Sequence, residues 1–213
     1  MRYSDRNDLN KSCTRQDELS NLIDEHWWKT ATTTNLRVEL DAGANVMERN
    51  VWDDTPLHYA ASNSTAEIIQ ALLDAGADVT AQARGCLTPL HYAASNSIAE
   101  VIQVLLEAGA DVTAVTRQGT TPLHWAAKYG TSAHIQALIA GGANVMARSR
   151  SRMTPLHAAA SAGTFANIQA LLDAGADIKV KDKHGRTPWD LAQENEKLKG
   201  TKGYWVLNDA QYN

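Results

Sequence analysis

Short apolar clusters alternate with polar turns along this chain at a fixed interval, and the spacing within each cluster has helical phase. Residues 55–79 show one complete unit. Thr55 precedes Pro56, an N-cap hydroxyl followed by a proline at the first helical position, where a missing N–H costs nothing. Leu57, Ala60 and Ala61 then give a short helix with a small-residue inner face. Asn63-Ser64 ends it. Ile68, Ile69, Leu72 and Leu73 fall at i, i+1, i+4, i+5 and predict a second helix from about Thr65 to Asp74. Gly76 follows as a left-handed C-cap, and Val79 leads into an extended stretch that reaches the next threonine.

This unit repeats. Thr-Pro-Leu-His begins at Thr55, Thr88, Thr121 and Thr154, 33 residues apart each time, and an altered copy, Thr187-Pro188-Trp189-Asp190, keeps the interval. A second motif, Leu40-Asp41-Ala42-Gly43-Ala44-Asn45-Val46, recurs from Leu73, Leu106, Ile139 and Leu172 with the same period. Two motifs locked to one period define a repeat architecture. A unit of this length is below the ~40 residues that usually fold alone, so each must lean on its neighbours.

The period and the Thr-Pro-Leu-His-x-Ala signature resemble the ankyrin repeat. The resemblance covers about residues 17–213 and implies an all-α solenoid of helix-turn-helix units joined by extended fingers. Residues 1–16 form a polar leader, 17–49 an N-terminal capping repeat, 50–82, 83–115, 116–148 and 149–181 four full repeats, and 182–213 a C-terminal capping repeat. The cap wording (Trp28-Lys29-Thr30-Ala31-Thr32) and the tail from Tyr204 to Ala210 are similar to bacterial members of the family. Units stacked at roughly 8–10 Å would make a rod on the order of 50 Å long. In this family first helices and finger tips line a concave groove that usually binds proteins. The family's finger tips carry Gly two residues before the Thr. Gly119 and Gly185 fit, whereas Asp53, Cys86 and Arg152 stand there in other units, and distortion of those three tips is expected.

Composition narrows the chemistry. The chain has 213 residues, 44% hydrophobic and 21% charged, a foldable mix, with one Phe, six Trp and six Tyr. No apolar run approaches the ~18 residues of a membrane span, and Met1 to Cys13 lacks the apolar core of a secretory signal. The expectation is a cytoplasmic protein with no membrane association, with export as an effector left open. Two cysteines, Cys13 and Cys86, make neither a disulfide framework nor a cysteine zinc site. His58, His91, His124 and His157 recur once per repeat, roughly 10 Å apart, and zinc ligands must lie ~2 Å from one ion. The ladder therefore excludes a shared metal. By resemblance each imidazole bonds finger backbone of its own or the next unit. His134 and His184 have no metal-spaced partner. No nucleophile elbow, phosphate loop or zinc-protease motif occurs, so no catalytic residue, cofactor or metal is assigned and the protein is expected not to be an enzyme. Cys86 at a tip has no positioned base.

Charge is uneven. Residues 1–82 hold 7 Lys+Arg against 14 Asp+Glu, and residues 83–213 hold 13 against 10. Positive charge gathers near the fingers at Arg84, Arg117, Arg148, Arg150, Arg152, Lys179, Lys181, Lys183 and Arg186. These cations read either as a solvated surface or as a patch that meets an acidic protein surface, steering association. Nucleic acid is disfavoured by a pI near 6.0 and by the lack of a base-reading element.

Aromatic residues complete the candidate site. Mapped onto the family's groove positions, Tyr59, Tyr92 and Trp125 share one repeat position and form a row, which either lines the groove or packs between first helices and fingers. Trp52 and Tyr129 are expected to be exposed, while Trp27, Trp28, Trp189 and Trp205 seal the caps. Tyr and Trp are typical interface anchors. The partner-binding set is thus Trp52, Tyr59, Arg84, Tyr92, Arg117, Trp125, Lys128, Tyr129, Arg150, Arg152, Lys183 and Arg186. The expected function is non-catalytic binding of a protein partner by a monomeric rod. Alternatives are a host-directed effector or a structural scaffold using the same surface, and, further off, a small-ligand or thiol-dependent protein built around Cys86 or His134.

Overall fold

The computed structural model describes Leu22 and residues 25–209. Cys13, the polar leader and Ala210 lie outside the described residues. Within them the chain is all helix and turn apart from one isolated bridge, Ala83 to Leu87. The helices are α1 (Glu25–Trp28), α2 (Thr33–Asp41), α3 (Pro56–Asn63), α4 (Ala66–Asp74), α5 (Pro89–Asn96), α6 (Ala99–Glu107), α7 (Pro122–Tyr129), α8 (Ser132–Ala140), α9 (Pro155–Ala162), α10 (Phe165–Asp173), α11 (Pro188–Ala192) and α12 (Lys202–Asp209).

They stack in two layers. First helices α3, α5, α7, α9 and α11 pack in succession, and second helices α2, α4, α6, α8, α10 and α12 pack in succession behind them. Side-chain size explains the layering. The first helices meet through pairs of fully buried alanines, Ala60-Ala61, Ala93-Ala94, Ala126-Ala127 and Ala159-Ala160, which permit close approach. The second helices supply the bulk, with Ile68, Ile69, Leu72, Ile102, Leu105, Ile135, Leu138, Ile168 and Leu171 buried in the same continuous core.

Each second helix ends where the sequence predicts. Gly76 has φ +92°, and the N–H of Ala77 reaches back to the Leu72 carbonyl at 3.0 Å, closing the last turn. Gly43, Gly109, Gly142 and Gly175 repeat the conformation. At the chain's ends the caps differ. Trp28 is buried and its indole N–H donates to the Leu22 carbonyl at 2.9 Å, while Trp27 and Trp189 are partly buried against the core. Trp205 departs from the expected sealing role: it is 54% exposed. Leu207 on α12 turns into the core in its place, and Trp205 meets Tyr204 edge-on at its rim, 5.4 Å between ring centroids.

Of the three finger tips expected to be distorted, those of Asp53 and Arg152 keep the common turn, while the Cys86 tip differs: Gly85 before it is also left-handed, at φ +83°, and an Ala83–Leu87 bridge closes it. Asp53, Cys86 and Arg152 take φ of 65°, 62° and 59°, close to the 74° and 79° of Gly119 and Gly185. In all five tips the N–H at this position bonds the carbonyl three residues back: Asp53 to Asn50, Cys86 to Ala83, Gly119 to Thr116, Arg152 to Ser149 and Gly185 to Asp182. The turn is fixed by this hydrogen bond and by bonds between neighbouring fingers, which hold non-glycine residues in a left-handed conformation they otherwise avoid.

Candidate protein-binding face

The threonine and histidine of each repeat form one device. The Thr55 N–H donates to His58 Nδ1 at 3.1 Å, and the Thr55 hydroxyl lies 2.9 Å from the same nitrogen. A backbone N–H can only donate, so Nδ1 is unprotonated and Nε2 carries the hydrogen. This gives a capping box with histidine in the place of the more usual Glu or Gln. The Nε2–H then donates across to the next finger. His58 reaches Leu87 O at 3.2 Å, His91 Thr120 O at 3.2 Å, His124 Met153 O at 3.0 Å and His157 Arg186 O at 3.1 Å. Burial pushes all four imidazoles below their ordinary pKa, His91 to about 4. Desolvation disfavours the cation, and the neutral form is the one this geometry needs.

The fingers are also tied to one another directly. Arg84 N–H donates to Trp52 O (2.8 Å), Arg117 to Gly85 O (2.7 Å), Arg150 to Gln118 O (2.9 Å) and Lys183 to Ser151 O (2.9 Å). These four donors are one repeat apart in sequence, so Arg84, Arg117, Arg150 and Lys183 occupy equivalent tip positions, all exposed. Among the described residues the carboxylate ion pairs are Arg186–Asp182 and Lys199–Glu196, and none of these four takes part. The Arg84 guanidinium instead lies over the Trp52 ring, 5.0 Å from its centroid.

Arg186 is engaged differently from the other finger cations. Its Nε and terminal nitrogen both donate to one Asp182 carboxylate oxygen, at 3.0 and 2.9 Å. The other oxygen accepts the backbone N–H groups of His184 and Arg186. Burial alone would raise the Asp182 pKa, but these donors and the guanidinium hold it below its ordinary value. Arg152 is exposed at its left-handed tip.

The aromatic row is half-buried and combines both expected roles. The Tyr92 hydroxyl donates to buried Asp54 at 2.6 Å, Asn50 donates to the Tyr59 hydroxyl at 2.6 Å, and the Trp125 indole donates to the Thr120 hydroxyl at 3.2 Å. Tyr92 and Trp125 stand edge-on to His58 and His91 of the preceding repeat. Each of the three side chains is thus held by a hydrogen bond and also lines one of two concavities. Trp52 (56%) and Tyr129 (55%) are exposed, as expected.

Two concavities lie along this face, and they differ in character. The first, about 360 Å³, is lined by Trp52, Asp54, Tyr59, Ser62, Asn63, Tyr92 and Asn96, polar groups around a carboxylate. The second, about 290 Å³, has Trp125, Tyr129, Met153 and Ala158 as its apolar lining, with Gln118, Thr120, Lys128, Ser149, Ser151 and Ser161 around them. Trp125 and Tyr129 lie 5.7 Å apart, and the Lys128 ammonium sits 4.9 Å from the Tyr129 centroid.

One set of buried polar residues lies outside the sequence-derived site. His134 Nδ1 accepts the Thr131 N–H at 3.1 Å and Nε2 donates to Ser97 O at 2.7 Å, in the turn between helices of the preceding unit. Asn167, one repeat on, donates to Gly130 O at 3.0 Å and Ala127 O at 3.1 Å, and Asn195 donates to Gly163 O at 3.2 Å and Ala160 O at 3.1 Å. Both ring nitrogens of His134 are committed to structure, which removes it as the centre of a small-ligand site. Cys86 is partly buried in its tip turn.

No helix among the described residues is long and apolar enough to cross a membrane, and no group of acidic, histidine or cysteine side chains among them could hold a metal ion. No curated protein matches the chain. The family described as ankyrin repeats matches three overlapping stretches, residues 31–116, 82–149 and 113–182. With the stacked helix pairs and the finger ladder, this match over most of the chain makes it a member of the ankyrin-repeat family, whose repeats are generally protein-protein interaction modules.

Proposed function

We propose that this protein is a non-catalytic, monomeric binding module that holds a partner protein in the groove formed by first helices and finger tips, with its basic C-terminal fingers meeting an acidic partner surface. The observation that carries this reading is the cleft between α7 and α9. Trp125, Tyr129 and Met153 present apolar surface there in a rigid frame, and the frame is fixed by the histidine and finger ladders rather than by the groove side chains themselves. Large aromatic residues in a fixed setting lose little entropy on binding and are the commonest energetic anchors of interfaces. The finger cations add long-range attraction and sign selectivity.

The test is affinity capture from the native cell followed by measured dissociation constants. Tyr129→Ala, and Trp125→Ala with Tyr129→Ala, should weaken the captured partner by about 2 kcal/mol, roughly thirtyfold, for the double variant. Circular dichroism should show the helical content retained. An affinity unchanged in both variants would remove the groove from the interface.

A further inference from the structure

We infer that the partner element is an extended acidic segment, laid along the finger tips with an acidic side chain at about every third residue and one bulky apolar side chain seated in the cleft lined by Trp125, Tyr129 and Met153. This rests on the groove reading above and specifies what fills it.

Three observations lead there. Arg84, Arg117, Arg150 and Lys183 stand at one repeat position, exposed and without a carboxylate partner among the described residues. Their backbones are bonded finger to finger at 2.7–2.9 Å, so the row is a fixed comb rather than a loose cloud of charge. Gly119 adds to this. A Cβ there would lie 3.0 Å from Arg150 N and 3.3 Å from Arg150 Cγ, so the glycine lets the arginine stem lie flat on the preceding tip.

The comb's period fixes the register. Repeats stacked at about 8–10 Å match three residues of a segment extended in the polyproline II conformation, about 3.1 Å each and three per turn, so that every third side chain returns to the same face. A folded acidic surface has no reason to carry that period, whereas an extended segment with acids at i, i+3 and i+6 does. The cleft lies inside the comb: Gln118 and Ser151, which line it, adjoin Arg117 and Arg150 in sequence. Its apolar lining would accept a leucine-sized side chain. The polar concavity at the other end holds the Asp54 carboxylate, and five of its seven lining residues fall within acidic residues 1–82, which directs an acidic segment towards the C-terminal repeats.

The probes are two fluorescein-labelled peptides of identical composition, read by anisotropy at low salt. One has Glu at every third position around a central Leu; the other has the same Glu residues in contiguous blocks. The in-register peptide should bind at least tenfold tighter, and Arg117→Glu with Arg150→Glu should erase that advantage. Equal binding of the two peptides, or indifference to the charge reversal, overturns the inference. So does tighter binding of an oligothymidylate of equal length, which would assign the comb to nucleic acid. A wild-type dimer in light scattering that the charge reversal dissociates would assign it to a second copy. Failure here is separable from failure of the groove. A captured native partner lost with Tyr129→Ala but indifferent to the arginine reversals leaves the groove standing and removes only the extended acidic segment.

Discussion

The Nε2–H of His91 donates to the carbonyl oxygen of Thr120, 3.2 Å away and 29 residues further along the chain. This bond ties the start of one helix to the finger of the next repeat, while the Thr88 N–H bonds Nδ1 at 3.3 Å only as long as that nitrogen is unprotonated. The same residue therefore caps, couples and titrates.

The ladder makes stability pH-dependent with a definite sign. The folded-state pKa of His58, His91, His124 and His157 is lowered, chiefly by burial. Below about pH 6.5 the unfolded chain takes up protons that the folded chain refuses, for His91 down to about pH 4. The histidine contribution is thus complete above pH 6.5 and is lost as pH falls through the folded values. For His91, shifted from 6.5 to about 4, the loss by pH 4 is about 3 kcal/mol. Urea midpoints should fall steadily across this range, and His91→Gln should flatten the slope by that residue's share. A stability that is level from pH 7 to pH 4.5 would contradict the lowered imidazole pKa values.

The left-handed tips predict gains. Asp53, Cys86 and Arg152 hold φ near 60°, at about 1–2 kcal/mol each relative to glycine. Glycine there relaxes the strain but frees the unfolded chain by about 0.4–1 kcal/mol. Cys86→Gly and Arg152→Gly should each stabilise by about 0.5–1 kcal/mol in urea titrations, with unchanged circular dichroism. Destabilisation would mean that the side chains make contacts worth more than the strain.

Much of this was legible in the sequence, and the boundary has physical causes. The repeat period, the helix pair and the glycine C-caps follow from local rules of capping and periodicity, and Thr55 to Val79 sufficed to read them. Tip shape at Asp53 and Arg152 is not legible locally, because the turn persists there without glycine. The hydrogen bonds between fingers that enforce the turn are non-local. Arg186 looked like its neighbours because its partner, Asp182, becomes one only when the finger closes. The shared role of His134, Asn167 and Asn195 is not legible in the sequence because the residue type changes at the first step and the 33-residue spacing breaks at the second, so no motif recurs. The constancy lies in the carbonyls they serve. Whether Tyr59, Tyr92 and Trp125 line or pack had no single answer, since each ring does both.

Asn167 gives a further test. It serves two carbonyls of the preceding unit, the buried Ala127 O and the partly buried Gly130 O. Asn167→Ala leaves both without a donor and opens space, and should cost about 2–3 kcal/mol. Ser64 is the opposite case: its hydroxyl is buried without a partner. Ser64→Ala should be neutral or stabilise by up to about 1 kcal/mol, because it removes an unpaired buried group. Chemical denaturation of the two variants in parallel checks both signs.

The glycines at the turn between paired helices give the last prediction. Gly130 and Gly163 stand where the earlier repeats have Ser64 and Ser97. A Cβ on Gly130 would sit 2.5 Å from Ala94 O, and one on Gly163 2.4 Å from Ala127 O, both backbone atoms of the neighbouring first helix. Neither glycine has positive φ, so the requirement is close approach of backbones rather than conformational freedom. The carbonyls of Gly130 and Gly163 themselves accept the Asn167 and Asn195 amides at 3.0 and 3.2 Å, so spreading the helices would strain those bonds too. Gly163→Ala should therefore cost about 1–3 kcal/mol, as overpacking does. Ala at the equivalent Ser64 should not, since a Cβ is already accommodated there. A Gly163→Ala variant as stable as wild type would show that adjacent first helices can separate without loss.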